Sequence, residues 1–515
     1  MSPLEQRSMP VAETGRPPLA MPAAVGVEMW ERFSFYGMQA IMAYYLYHQA
    51  SEGGLGIDRA QATALMGAYG AAVYLCTLAG GWLADRLLGA ERTLFTGALT
   101  LVAGHLALSL LPGGWGVATG LVLVAMGSGA LKTAAITVLG HAYPGGDDAR
   151  RDAGFQLFYL GINVGALFGP LLTGWLSARH GFGVGFGAAA ALMVIGLLNY
   201  LALRRRYLAE LGPRAADALQ RPGNPLPIRS AVAPIGIVLT ACALIALLVT
   251  TGRLALGNLA TLLLVVILAA AVGLFVQMLG SPRVSTAERA RVRAFIPLFI
   301  ASSTFWSVLN QTYGVFAVYS DVRLDRHLGG FEMPAAWTQS FNPAYILLLS
   351  LPMALLWTRL GQRGPCSATK MCLGVVISGC GMLVLLPFAA QGAASTPVLA
   401  LAAAVLVITL GELLVGPVGM SATTAHAPAA FRTRFSALYF LSMALGTSLA
   451  GVLSRWYNPQ NAAAERRYFL ACGLGAIAIG LATLQFSRAR SRVEASKVLG
   501  APPGRPESQP AELPA

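Results

Sequence analysis

Fourteen apolar runs, each about 18 to 28 residues long, recur along this chain at roughly 22–48, 60–83, 93–112, 117–141, 153–177, 182–203, 231–251, 254–280, 294–319, 336–357, 368–389, 397–421, 433–455 and 467–487. Each is long enough to cross about 30 Å of hydrocarbon as a helix. With no water there to satisfy backbone N–H and C=O groups, a spanning segment must bond internally, and helices do so. The composition agrees: 56% of the 515 residues are hydrophobic, 11% are charged, and mean hydropathy is +0.63. The sequence therefore predicts an all-α, polytopic membrane protein.

Basic residues punctuate every second run: Arg86 and Arg92, Arg150 and Arg151, Arg204–Arg206, Arg289–Arg293, Arg359 and Arg363, Arg432 and Arg434, and Arg488–Arg492. By the positive-inside rule these turns are cytoplasmic, and so are both termini. The net charge of +14 thus reports topology, and no nucleic-acid partner is expected. Six cysteines in or beside apolar segments show no CxxC spacing, so they read as packing residues. Residues 1–20 are polar and contain proline, without the apolar core of a cleaved signal peptide.

An even number of crossings must separate Arg204–Arg206 from Arg289–Arg293, and the runs at 231–280 supply two. The expected organisation is a cytoplasmic segment 1–20, a six-helix bundle 21–207, a linker 208–230, an inserted hairpin 231–282, a second six-helix bundle 283–487 and a disordered tail 488–515. Two six-helix halves describe a major-facilitator transporter. Matching turns after corresponding helices, GGWLADRLLGAER at 80–92 and WTRLGQRG at 357–364, support two related halves.

Charges inside such helices cost about 2.5–3.5 kcal/mol each on insertion scales and mark working sites. Glu28, Glu31 and Arg32 share one face of the first helix through spacings of three and four. The two carboxylates repel while Arg32 compensates, an arrangement able to take up and release a proton. Lys132 and Glu412 lie at similar depths in corresponding helices, too deep to snorkel. Glu28, Glu31 and Glu412 against Arg32 and Lys132 leave a net charge of minus one, which one proton neutralises. Asn163, Gln311 and Asn342 are amides in apolar helices that need partners. Their positions beside Tyr36, Phe305 and Trp306 suggest one polar cavity, with Gly161, Gly165, Pro170 and Pro417 allowing close packing and local unwinding.

Four segments carry a more specific resemblance. Glu28-Met29-Trp30-Glu31-Arg32-Phe33 resembles the ExxERF motif of the proton-coupled oligopeptide transporter family, and FQLFYLGINVG at 155–165 resembles its fifth-helix signature. WTQSFNP at 337–343 and GELLVGPVGMS at 411–421 resemble its eighth- and tenth-helix motifs. The resemblance implies import of di- or tripeptides with protons by alternating access, no cofactor beyond the coupling proton, and a monomer in the inner membrane. It implies that Lys132 contacts the substrate carboxylate and the ExxER triad, and that Glu412 binds the peptide amino group. Asn163 and Asn342 would hydrogen-bond the peptide backbone, and Tyr36, Tyr69 and Gln311 join the candidate pocket. Lys132 and Glu412 could pair when the cytoplasmic side closes.

Departures from the family pattern fall at one gate. Gln39 follows Phe35-Tyr36-Gly37-Met38 where the family has Arg, and Asn310 stands in FWSVLNQ where it has Glu. The pairwise charge is unchanged, but an ionic latch is replaced by a potential amide pair, and Gln39 and Asn310 remain candidates for both gate and substrate contact. Lys132-Thr133-Ala134 replaces the usual KPN, and Tyr439 stands where Trp is common. Two further readings stay open: a transporter of the same fold for a non-peptide solute, and a receptor-like relative that binds without transport. Nitrate would leave Glu412 without a role, and an idle cavity gains nothing from deep charges. No nucleophile–base pair or metal spacing points to an enzyme.

Overall fold

The computed structural model describes residues 18–141, 148–389 and 391–499. Its first half holds α1 (Ala20–Tyr47), α2 (Arg59–Leu83), α3 (Ala90–Leu110), α4 (Gly113–His141), α5 (Asp148–His180) and α6 (Phe182–Gln220). The inserted pair is α7 (Ile228–Thr250) and α8 (Leu259–Gly280). The second half holds α9 (Thr286–Leu309), α10 (Val315–Val322), α11 (Phe341–Leu360), α12 (Ser367–Leu383), α13 (Val398–His426), α14 (Arg432–Ser454) and α15 (Ala462–Leu499). Between α9 and α10 lies a 3-10 turn, Asn310–Tyr313, so the two form one broken crossing.

Among the described residues, thirteen helical segments are long and apolar enough to cross a membrane by composition, and α1 joins them as a 28-residue helix that carries the three charges. At about 1.5 Å per residue α1 reaches about 42 Å, ample for the bilayer core. Fourteen crossings result. Helices α1 to α6 pack among themselves, as do α9 to α15, and the halves meet along α2 with α14 and α5 with α11. Glycine makes the first of these seams possible. A Cβ on Gly67 would stand 2.4 Å from the Gly451 Cα, a distance no side chain tolerates, and small residues are what let membrane helices approach this closely.

Within the inserted pair, α8 packs on α2 and α14, whereas α7 turns Ile237, Val238 and Leu239 outward. The segment expected as a linker from 208 is helical as far as Gln220, broken only at Gly212, whose φ of 80° suits the glycine before Pro213. The tail expected to be disordered from 488 is helical as far as Leu499. Arg, Ala, Glu and Lys are good helix formers, and extending an existing helix avoids the cost of nucleation. The expectation for residues 1–17, and for the tail beyond 499, lies outside the described residues.

Candidate functional site

The three charges of α1 face inward and are compensated where they stand. Glu28 and Glu31 are wholly buried and Arg32 nearly so. Arg32 Nε lies 2.9 Å from Glu28 Oε1 and 2.8 Å from Glu31 Oε2. Ser128 of α4 donates its hydroxyl to Glu31 Oε1 at 2.7 Å. Ser128 is one turn before Lys132, so a single face of α4 offers both a donor to the triad and a cation to the cavity. Gly165 lets α5 lie against this part of α1, since a Cβ there would sit 2.4 Å from the Met29 carbonyl oxygen.

A cavity of about 230 Å³ lies between the halves, lined from the first by Tyr36, Tyr74, Lys132, Tyr159 and Asn163 and from the second by Trp306, Asn310, Tyr313, Asn342 and Glu412. Among the described residues, Lys132 and Glu412 are its two charged side chains, on opposite walls. Lys132 has no carboxylate in ion-pair range among the described residues and lies 5.7 Å from the Tyr74 ring centroid. Glu412 is held instead by Asn342, whose Nδ2 donates to Glu412 Oε2 at 2.6 Å and lies 3.1 Å from Thr409 Oγ1. Asn310 Nδ2 donates to the Trp306 carbonyl at 2.8 Å. These bonds commit both Nδ2 hydrogens of Asn342 and one of Asn310, and leave their Oδ1 atoms as acceptors. Asn163 Nδ2 donates to the Tyr159 carbonyl at 2.9 Å.

The triad does not line the cavity. It sits behind the wall formed by Tyr36, over whose ring the Arg32 guanidinium carbon lies at 5.9 Å. Three other candidates are also elsewhere. Gln311 points into the second half, where Tyr468 donates its hydroxyl to Gln311 Oε1 at 2.7 Å. Tyr69 stacks on Phe35 with centroids 6.3 Å apart. Gln39 is buried with Oε1 unpartnered, and it makes no hydrogen bond to Asn310. The amide latch expected from the paired replacement is thus not formed. In a helix neighbouring residues point about 100° apart, and the 3-10 turn at Asn310–Tyr313 adds a further twist, so Asn310 and Gln311 cannot both face one cavity.

Closure at one end rests on other groups. Tyr47 donates to Asp321 Oδ2 at 2.8 Å and His48 Nε2 lies 3.1 Å from the same oxygen. Gln339 Nε2 donates to the Ala40 carbonyl at 3.3 Å, Trp337 Nε1 to the Leu171 carbonyl at 2.9 Å, and Ser340 to the Leu167 carbonyl at 2.7 Å. All five ties join α1, its C-cap His48 or α5 to α10 or the 3-10 turn Ala335–Ser340 before α11, at the end opposite the arginine-rich loops. No Lys132–Glu412 pair closes the other end. Among the described residues, these side-chain bonds between the halves therefore lie on one side of the cavity, the asymmetry of an alternating-access state.

The POT family model matches residues 91–471, about three quarters of the sequence. The chain belongs to the POT family. It is a transporter of that family rather than an enzyme, and its fold is the family's two-bundle, major-facilitator type. It is 37% identical over 455 residues to the uncharacterized transporter YclF of Bacillus subtilis, covering 88% of this chain and 90% of that one. It is 36% identical over 472 residues to the di-/tripeptide transporter of Lactococcus lactis subsp. cremoris, covering 89% and 92% respectively. A crystal structure of a variant of peptide transporter POT in complex with alafosfalin superposes with a TM-score of 0.85 at 37% identity, over 92% of this chain and 95% of that one.

Sequence reasoning missed Tyr74, Tyr159, Tyr313 and Gln339 as cavity-lining residues, and Ser128 as the partner of Glu31. Tyrosine in an apolar helix carries no obvious penalty, so none of the three stood out. Ser128 was detectable only as the residue one turn before Lys132.

Proposed function

We propose that this POT-family member is a proton-driven symporter importing small di- and tripeptides across the inner membrane, with both termini cytoplasmic. The observation that carries the reading is the placement of one cation, Lys132, and one anion, Glu412, on opposite walls of a cavity with no other charged lining among the described residues. A zwitterion satisfies both, its carboxylate at Lys132 and its ammonium at Glu412, and each contact is charge-assisted in a site largely shielded from water. The Oδ1 atoms of Asn310 and Asn342 would accept the peptide's amide N–H groups. Relatives named as di-/tripeptide transporters support the substrate class.

Glu28, Glu31 and Arg32 serve coupling in this reading. The buried set including Lys132 and Glu412 is one proton from neutral, and deep uncompensated charge is costly enough that proton binding and release must track substrate and conformation. The cavity, at about 230 Å³, is below the usual range for ligand pockets of roughly 300–1,000 Å³, which favours short peptides with small side chains. Uptake into proteoliposomes under an imposed pH gradient tests the reading, with a panel of di- and tripeptides, C-terminally amidated and N-acetylated controls. Accumulation of free peptides alone is expected. Accumulation without a gradient, or equal uptake of blocked peptides, would overturn it.

A further inference from the structure

Away from the cavity, α9, α14 and α15 enclose a cleft of about 580 Å³, more than twice the cavity's volume. Its wall on α15 runs from Ala464 to Ile479. At about 1.5 Å per residue that is about 22 Å, more than the roughly 15 Å of hydrocarbon in one leaflet. Small residues carve it: Ala464, Ala471, Gly475 and Ala476 line α15, facing Val308 of α9 and Leu449 of α14. The cleft therefore has the length and the surface for an acyl chain.

Its mouth lies at the α14–α15 turn and is equipped for a phosphate. Arg467 lines the cleft and is exposed. Its Nε donates to the Ala463 carbonyl at 3.1 Å, and its terminal nitrogens have no carboxylate partner among the described residues. The neighbouring acid, Glu465, is buried and pairs with Arg323 at 3.2 Å instead. Trp456, 68% exposed, stands on the same rim, and tryptophan settles at the level of lipid headgroups. An arginine free of protein anions beside an interfacial tryptophan is a natural phosphate contact.

We propose that this cleft holds one phospholipid, with an acyl chain between α9 and α15 and its phosphate on Arg467. The chain rests against Gln311 and Tyr468, whose hydrogen bond forms part of the inner wall. Gln311 belongs to the same 3-10 turn as Asn310 and Tyr313, which line the cargo cavity on the opposite side. The lipid and the cargo would thus contact two faces of one broken helix.

The test is native mass spectrometry of the full-length protein in mild detergent, titrated with phosphatidylglycerol or with a diacyl glycolipid of the same chains lacking phosphate. Wild type is expected to fill one site first, favouring phosphatidylglycerol about tenfold. Gly475→Phe should lower first-site occupancy about tenfold for both lipids; a Cβ at Gly475 meets nothing within 4 Å, so the ring enters the cleft without disturbing the fold. Arg467→Gln should keep glycolipid binding and lose the preference for phosphate. A uniform ladder of adducts in wild type, full occupancy in Gly475→Phe, or an undiminished preference in Arg467→Gln would each overturn the proposal.

Discussion

Glu412→Gln isolates the half of the substrate clamp that the geometry defines most sharply. Gln matches Glu in size, and Asn342 Nδ2, now 2.6 Å from Glu412 Oε2, can donate to the new carboxamide oxygen, so the fold should survive. What disappears is the cavity's anion. Losing one partner of a buried, hydrogen-bonded charge pair costs about 2–5 kcal/mol, or a loss of affinity from about 30-fold to beyond a thousandfold at 1.4 kcal/mol per decade. The assay is calorimetric binding of Ala-Ala and N-acetyl-Ala-Ala to wild type and variant in detergent. Wild type should discriminate between these ligands by that factor. Glu412→Gln should bind both about equally, at the wild-type affinity for the acetylated form, because the deleted charge and the deleted ammonium report one contact. Affinity of the variant for Ala-Ala within threefold of wild type would refute the assignment, as would undiminished discrimination.

Further outcomes follow from the same geometry. Lys132→Ala should weaken binding of free dipeptides at least tenfold while leaving C-terminally amidated ones little changed; equal losses would remove the carboxylate contact. Glu31→Gln should abolish accumulation driven by a pH gradient yet preserve peptide exchange across the membrane, and a variant that still accumulates peptide fully would exclude the triad from coupling. Gly67→Val places branched carbons where a Cβ alone would be 2.4 Å from Gly451, so the halves should be wedged apart and uptake cut more than tenfold, with folding checked by thermal melting. Asp321→Asn weakens the ties from Tyr47 and His48 and should raise thiol labelling of a cysteine introduced on the closed side of the cavity, at a cost of about 1–3 kcal/mol to the state seen here.

The fourteen crossings, the arginine pattern and the charged residues on α1, α4 and α13 were legible because each is a local energetic demand. An apolar run of sufficient length spans by itself, and a deep charge is conspicuous wherever its helix turns. Glu28, Glu31, Arg32, Lys132 and Glu412 stand out in the sequence for that reason. Neutral side chains were harder. Gln39, Asn310 and Gln311 look equivalent in the sequence, but only Asn310 lines the cavity, while Gln311 bonds to Tyr468 and Gln39 is buried apart from Asn310.

Sequence by itself determined that this chain must be a bundle of membrane helices with charges set deep in α1, α4 and α13, since burial in hydrocarbon leaves neither backbone nor charge any other resting place. Tertiary structure alone decided which of those charges meet. Helix rotation, the 3-10 break after Leu309 and the glycine-mediated seam at Gly67 and Gly451 put Lys132 and Glu412 across one cavity and withdrew the triad behind Tyr36. They also moved closure from Gln39 and Asn310 to Tyr47, His48 and Asp321. These are choices among helix phases of similar intrinsic energy, settled by packing between segments far apart in the chain.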